Sequence, residues 1–208
     1  MKITCLAFSM ALMTSAVAAQ QSDPIDRFGA CMKTLRAVAS SKKGISTASF
    51  ERLTSGLSPD LSVLEFLDYQ PEFRSPIWDY LSGLVDEERV ADGLEMRNKW
   101  ADTLAMASER YQVDPATIVA VWGVESNYGR NFGSRPLLTS LGTLSCFGRR
   151  QAYFSGEFLS ALKILDSGDI EPEQLVGSWA GAFGHTQFMP STFLRLAVDG
   201  DGDGKRDL

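Results

Sequence analysis

Three observations predict a mainly α protein. Apolar residues recur at intervals of three and four, start and stop signals bracket several of these runs, and no segment sustains period-two alternation. The chain opens with Lys2, an apolar stretch over residues 3–17, and small residues at Ala16, Ala18 and Ala19. That is the charge, apolar-core and cleavage-site order of a secretory signal, so residues 1–19 read as a leader and residues 20–208 as the exported domain. Lys2, Ile3 and Thr4 ahead of Cys5 are not the small-residue setting that lipidation needs, and a soluble monomer in the periplasm is expected.

Ile25, Phe28, Met32, Leu35 and Val38 predict an amphipathic helix that ends before Gly44. Short helical stretches follow near residues 50–53 and 61–67. In Gln70-Pro71-Glu72-Phe73-Arg74-Ser75-Pro76 the prolines remove backbone donors and disfavour helix in the residue before them, which predicts an extended crossing. Trp78, Leu81, Leu84 and Val85 start a new helical pattern; Val90, Leu94, Ala101, Leu104 and Ala105 continue it as one longer, strongly charged helix. Asp114-Pro115 is a start signal, with Asp as N-cap and Pro at the first helical position. The helix it opens, residues 116–125, is apolar nearly all round and is expected to be central and buried. Another is expected over residues 152–165, stopped by Gly168.

Composition excludes several functions. With 20 basic and 26 acidic residues the net charge is −6, which argues against a nucleic-acid partner because phosphates demand basic clusters. After the leader, charged residues interrupt every apolar run short of the ~20 residues a membrane span needs. Of three cysteines Cys5 leaves with the leader, so Cys31 and Cys146 remain as a candidate disulfide, two unpaired buried thiols being the alternative. His185 is the only histidine, so no His-based metal cluster can form, and a packing or hydrogen-bonding role is expected. No organic cofactor is implied.

Glu125 stands at the C-terminal end of the most apolar helix, before Ser126, Asn127, Tyr128 and Gly129. Apolar walls on the helix side would favour its protonated form, which a general acid for a glycosidic oxygen requires. Position alone leaves open a structural Glu bonded to backbone or an Arg. Further on, Gly177-Ser178-Trp179-Ala180-Gly181-Ala182-Phe183-Gly184-His185-Thr186-Gln187-Phe188-Met189-Pro190 mixes small residues with aromatics, amide and hydroxyl groups. Small residues let a polymer approach the backbone, while rings and polar groups suit sugar faces and N-acetyl groups; tight helix packing is the alternative.

Val121-Trp122-Gly123-Val124-Glu125-Ser126, the Arg149-Arg150 pair before Tyr153-Phe154-Ser155-Gly156-Glu157, and Ala180 to Ser191 together resemble the membrane-bound lytic murein transglycosylase B family. The resemblance implies a lysozyme-like helical catalytic domain that cuts peptidoglycan glycan strands between N-acetylmuramic acid and N-acetylglucosamine without water, leaving 1,6-anhydromuramyl ends. It implies Glu125 as the single catalytic acid and base, and Ser178, Gln187, Arg149, Arg150, Tyr80 and Tyr153 as substrate contacts. A hydrolytic muramidase, which needs a second carboxylate, and a non-catalytic peptidoglycan-binding protein are the competing readings.

Asp199-Gly200-Asp201-Gly202-Asp203-Gly204-Lys205-Arg206-Asp207 places carboxylates at positions one, three, five and nine, with glycine at six. This is the front of an EF-hand-like calcium loop over residues 199–208, with Asp199, Asp201, Asp203, Asp207 and the Lys205 carbonyl as Ca²⁺ ligands. A solvated acidic turn is the alternative. The sequence ends at Leu208, before the carboxylate that closes such a loop, so a truncated C-terminus and weak Ca²⁺ binding are expected.

Overall fold

The computed structural model describes residues 23–68 and 75–206, so the leader, Asp207 and most of the proline-rich crossing lie outside the described residues. Helix α1 (Pro24–Lys43) begins where Asp23 accepts a hydrogen bond from the Ile25 N–H and ends at Gly44, whose φ of 68° is the left-handed stop. Ser46 caps α2 (Thr47–Thr54) by accepting from the Ser49 N–H. A 3₁₀ helix follows (Leu61–Asp68). The expected long charged helix is instead three: α3 (Ile77–Leu84), α4 (Glu87–Lys99) and α5 (Ala101–Tyr111). Asp86 caps α4 by accepting from Arg89 N–H, and Trp100 separates α4 from α5 with a backbone turn of φ −108°, ψ 24°.

Helix α6 (Pro115–Ser126) starts at the Asp114 cap as expected, but the central, buried position expected for it is not what the chain adopts. Only Val119, Gly123 and Ser126 are buried, while Val121 and Val124 are 50% and 42% exposed. The reason is that α6 packs against α4, α5 and, through Trp122 and Ser126, the segment bearing His185, which leaves its outer valines uncovered among the described residues. Two short strands, β1 (Arg135–Pro136) and β2 (Val176–Gly177), pair antiparallel, and two residues each are too few to carry an alternation pattern. Between them lie α7 (Leu137–Cys146), absent from the expected elements, and α8 (Gln151–Ser167). The chain then enters α9 (Pro190–Leu196).

Helices α7 and α8 form the centre of the larger apolar cluster, with Leu137, Leu141, Leu144, Phe158, Leu162 and Phe193 in full burial. Met96, Leu104, Val119 and Tyr128 form a smaller, separate one that holds α4, α5 and α6 together. Cys31 of α1 and Cys146 of α7 are disulfide-bonded. No helix of the described residues is long and apolar enough to cross a membrane.

Candidate active site

Three successive left-handed residues end α6: Asn127 at φ 48°, Tyr128 at φ 58° and Gly129 at φ 81°. They turn the chain back so that the Tyr128 ring lies against α4 and α6, its hydroxyl donating to the Arg89 carbonyl at 2.7 Å. A Cβ at Gly93 or at Gly123 would come within 2.6 Å of that hydroxyl, so both helices need glycine at this crossing. Burial pushes the Tyr128 phenol above its usual range, and the Asp92 carboxylate adds to that.

Glu125, one residue before the end of α6, is exposed, without the apolar walls expected for it. Its neighbour Ser126 is buried and donates its hydroxyl to the His185 carbonyl at 2.7 Å while accepting from Gly129 N–H at 3.0 Å. The His185 ring is stacked between Trp122 and Phe132, and its Nδ1 accepts from the Trp122 indole N–H at 3.1 Å. A Cβ at Gly129 would meet this ring at 2.4 Å, so a side chain there would displace the histidine. The carboxylate is thus carried beside a hydrogen-bonded, ring-packed corner although it is itself open to solvent.

Ser178 and Gln187 stand on the segment that reaches this corner. The Ser178 Oγ accepts from Ala182 N–H at 3.0 Å, and backbone bridges join Gly177 to Phe183 and Phe183 to Phe188. The Gln187 amide donates to the carbonyls of Phe132 and Gly184 at 3.1 and 3.0 Å. Glu125, His185, Gln187 and Ser178 are therefore brought into one connected frame by hydrogen bonds of their own or of adjacent residues.

Arg149, Arg150 and Tyr153 form a second group at the corner between α7 and α8. Arg149 is exposed, donates to the Leu67 carbonyl at 2.9 Å and pairs with Asp68, while Arg150 lies 4.5 Å from the Tyr153 ring centroid. Burial pushes the Tyr153 phenol up, with the Glu157 carboxylate acting in the same direction. Tyr80 is exposed on α3, and no hydrogen bond among the described residues links it to either group. Sequence reading passed over Glu157 as a structural centre. It is 5% exposed and accepts from both the Ser191 N–H and hydroxyl, at 2.9 and 2.7 Å. The available signal was a lone carboxylate among the apolar residues Phe154, Phe158 and Ala161 of one helix.

In the acidic loop, Asp199, Asp201 and Asp203 each bring one carboxylate oxygen to within 4.8 Å of the others. Asp199 accepts from Gly202 and Gly204 N–H, Asp201 from Asp203 N–H and Asp203 from Lys205 N–H. Hard oxygen donors on a tight glycine turn fit Ca²⁺, which takes such ligands in flexible geometry. The Arg206 hydrogen bond, with a smaller contribution from Ser167, holds the Asp169 carboxyl down at about 2.

Fold and site together define a mainly helical domain in which Glu125 stands exposed at the end of α6, next to the corner that Ser126 and His185 tie together. The chain belongs to the family described as Transglycosylase SLT domain, which matches residues 27–208. It is 34% identical over 177 residues to membrane-bound lytic murein transglycosylase B of Escherichia coli, a match covering 80% of this chain and 49% of that protein. Among solved structures, SltB3 of Pseudomonas aeruginosa in complex with NAG-NAM-pentapeptide is 43% identical with a TM-score of 0.82, over 86% of this chain and 48% of that one. The Escherichia coli lytic transglycosylase Slt35 in complex with calcium is 33% identical with a TM-score of 0.76, over 86% and 57%. The chain spans about half the length of the curated relative it matches.

Proposed function

We propose that this protein is a lytic transglycosylase that cleaves the β-1,4 bond between N-acetylmuramic acid and N-acetylglucosamine in peptidoglycan, with Glu125 as its acid and base. The observation that carries the reading is the mounting of Glu125 at the end of α6, in a chain 43% identical to SltB3, which has been solved with a NAG-NAM-pentapeptide. Glu125 gives its proton to the glycosidic oxygen as the bond to the muramyl C1 breaks. The muramyl C6 hydroxyl then bonds to C1 and returns its proton to Glu125, closing a 1,6-anhydro ring without water. The attacking hydroxyl belongs to the substrate, so one carboxylate serves both steps, whereas hydrolysis uses two. A strand lying over Glu125 also strips water from the exposed carboxyl, a cover the described residues do not supply themselves.

Ser178 and Gln187 border the sugar subsites; their bonds to Ala182, Phe132 and Gly184 hold them in place for that role. Arg149, Arg150 and Tyr153 face the lactyl carboxylate or peptide stem, where a charge-assisted contact competes with the Asp68 pair, and Tyr80 adds a contact from α3. Residues 1–19 serve as an export leader to the periplasm, and residues 20–208 form the lysozyme-like domain. Asp199, Asp201, Asp203, the Lys205 carbonyl and Asp207 hold a structural Ca²⁺, which supplies charge neutralisation to the loop.

Purified peptidoglycan digested with this chain and read by mass spectrometry tests the activity. Products one water lighter than hydrolytic fragments are expected, and Glu125→Gln is expected to lower their release by roughly 10²–10⁴-fold. Reducing ends, or undiminished release by the variant, overturn the proposal.

A further inference from the structure

Arg206 occupies position eight of the acidic loop, between the Lys205 carbonyl at seven and Asp207 at nine. A guanidinium there is a rival for the loop's own carboxylates. It would form charge-assisted bonds to Asp199, Asp201 or Asp203 and occupy the oxygens that a cation needs. In the structure it turns the other way. Its Nε and its backbone N–H both donate to one oxygen of Asp169 at 3.2 Å, and its Nη2 pairs with the second. The guanidinium carbon lies 5.1 Å from the centroid of the Phe193 ring, and Nη1 reaches the Leu194 carbonyl at 3.5 Å. Asp169, just past the Gly168 stop of α8, is 9% exposed at its side chain and also accepts from the Ser167 hydroxyl.

All other hydrogen bonds of residues 199–206 among the described residues stay inside the loop. The Arg206 contacts are thus the tie between the back of the loop and α8 and α9. We propose that Asp169 and Arg206 are positioning residues for the cation site. Asp169 neutralises Arg206 and draws it onto Phe193, which keeps the position-eight charge off the loop carboxylates and fixes the Lys205 carbonyl between two anchored segments. The proposal rests on the calcium reading of the loop. It goes further in making a residue more than 30 positions upstream control cation affinity, with the spacing of 37 set by the fold. Partners of metal ligands typically shift affinity by about 10- to 100-fold when removed.

Calorimetric titration of the 208-residue chain with Ca²⁺, paired with melting curves with and without Ca²⁺, tests this. Asp169→Asn leaves every proposed ligand in place, yet is expected to weaken binding about tenfold and to shrink the Ca²⁺-induced rise in melting temperature. Adding Arg206→Leu to Asp169→Asn removes the released charge, keeps apolar cover on Phe193, and should recover part of the affinity. Arg206→Lys is the gentler check should Asp169→Asn fail to fold, since it keeps the charge but loses the planar fork, and is expected to weaken binding several-fold. A lower melting temperature with unchanged Ca²⁺ affinity in these variants means a merely structural clasp and overturns the proposal. Absence of Ca²⁺ binding by the unaltered chain at millimolar concentration overturns the calcium reading and the proposal together.

Discussion

Asp169 carries the clearest single-group electrostatic effect in the chain. Its carboxyl is held at about 2, against an ordinary 3.8, chiefly by the Arg206 hydrogen bond. A carboxyl depressed on folding stabilises the protein above the unfolded value, near 3.8, and that stabilisation is lost as pH falls through about 2. At most about 2.5 kcal/mol is at stake. Acid unfolding of Asp169→Asn followed by circular dichroism is therefore expected to show a flatter loss of stability between those two values than the unaltered chain. Parallel curves for the two proteins count against the assignment. The aspartates of the loop, whose carboxylate oxygens gather within 4.8 Å of one another, were legible because their meaning lies in local spacing. Tyr128 and Ser126 were not legible as the clamps of Glu125, because their partners Arg89 and His185 lie 39 and 59 residues away and only the fold brings them near.

Helices α1, α2 and α8 were legible because each combines a periodic apolar face with a cap or a glycine stop. Helix α7 was not, although it is the most buried: Thr139, Ser140, Thr143 and Ser145 interrupt its apolar face, where the Thr143 and Ser145 hydroxyls donate to the Thr139 and Leu141 carbonyls at 2.7 and 2.6 Å and the buried Ser140 hydroxyl finds no partner among the described residues. Burial of α6 was misjudged because composition reports how apolar a helix is, not how many neighbours reach it. The contact between α8 and α9 rests on a polar clasp inside this apolar surround. Glu157 satisfies the Ser191 N–H, one of the unpaired donors of the first turn of α9, and also its hydroxyl. Glu157→Gln keeps the volume but can accept both bonds only at one oxygen, so a loss of roughly 1–3 kcal/mol is expected. Urea unfolding should show a lower midpoint at an unchanged slope, since the folded surface is the same. A midpoint equal to that of the unaltered chain removes the clasp from the list of stabilising contacts.

Glu125 and Ser178 are carried by different apolar clusters. Glu125 is carried by the smaller one, through α6, while the segment bearing Ser178 runs over the larger, where Trp179 and Ala180 pack. Among the described residues the side-chain hydrogen bonds that join them are Ser126 to His185, Trp122 to His185, and Gln187 to Phe132, with the Phe132 ring also stacked on His185. The disulfide governs how far the two can separate in the unfolded chain. Cys31 and Cys146 are 115 residues apart, and Met96, Leu104, Val119, Tyr128 and Glu125 all lie inside the loop they close. Counting cysteines was enough to nominate the pair, whereas its enclosure of the entire smaller cluster follows only from the order of the helices. Closing so long a loop restricts the unfolded ensemble by about 4–5 kcal/mol in the chain-entropy model. For a domain of this size that corresponds to a fall in melting temperature on the order of 10 °C on reduction. Calorimetric scans with and without dithiothreitol measure it, and the Cys31→Ser, Cys146→Ser double variant is expected to match the reduced protein and to ignore the reductant. Equal melting temperatures for the oxidised protein and the variant would mean that the larger cluster alone sets stability and that the covalent loop contributes nothing to holding the site's two halves.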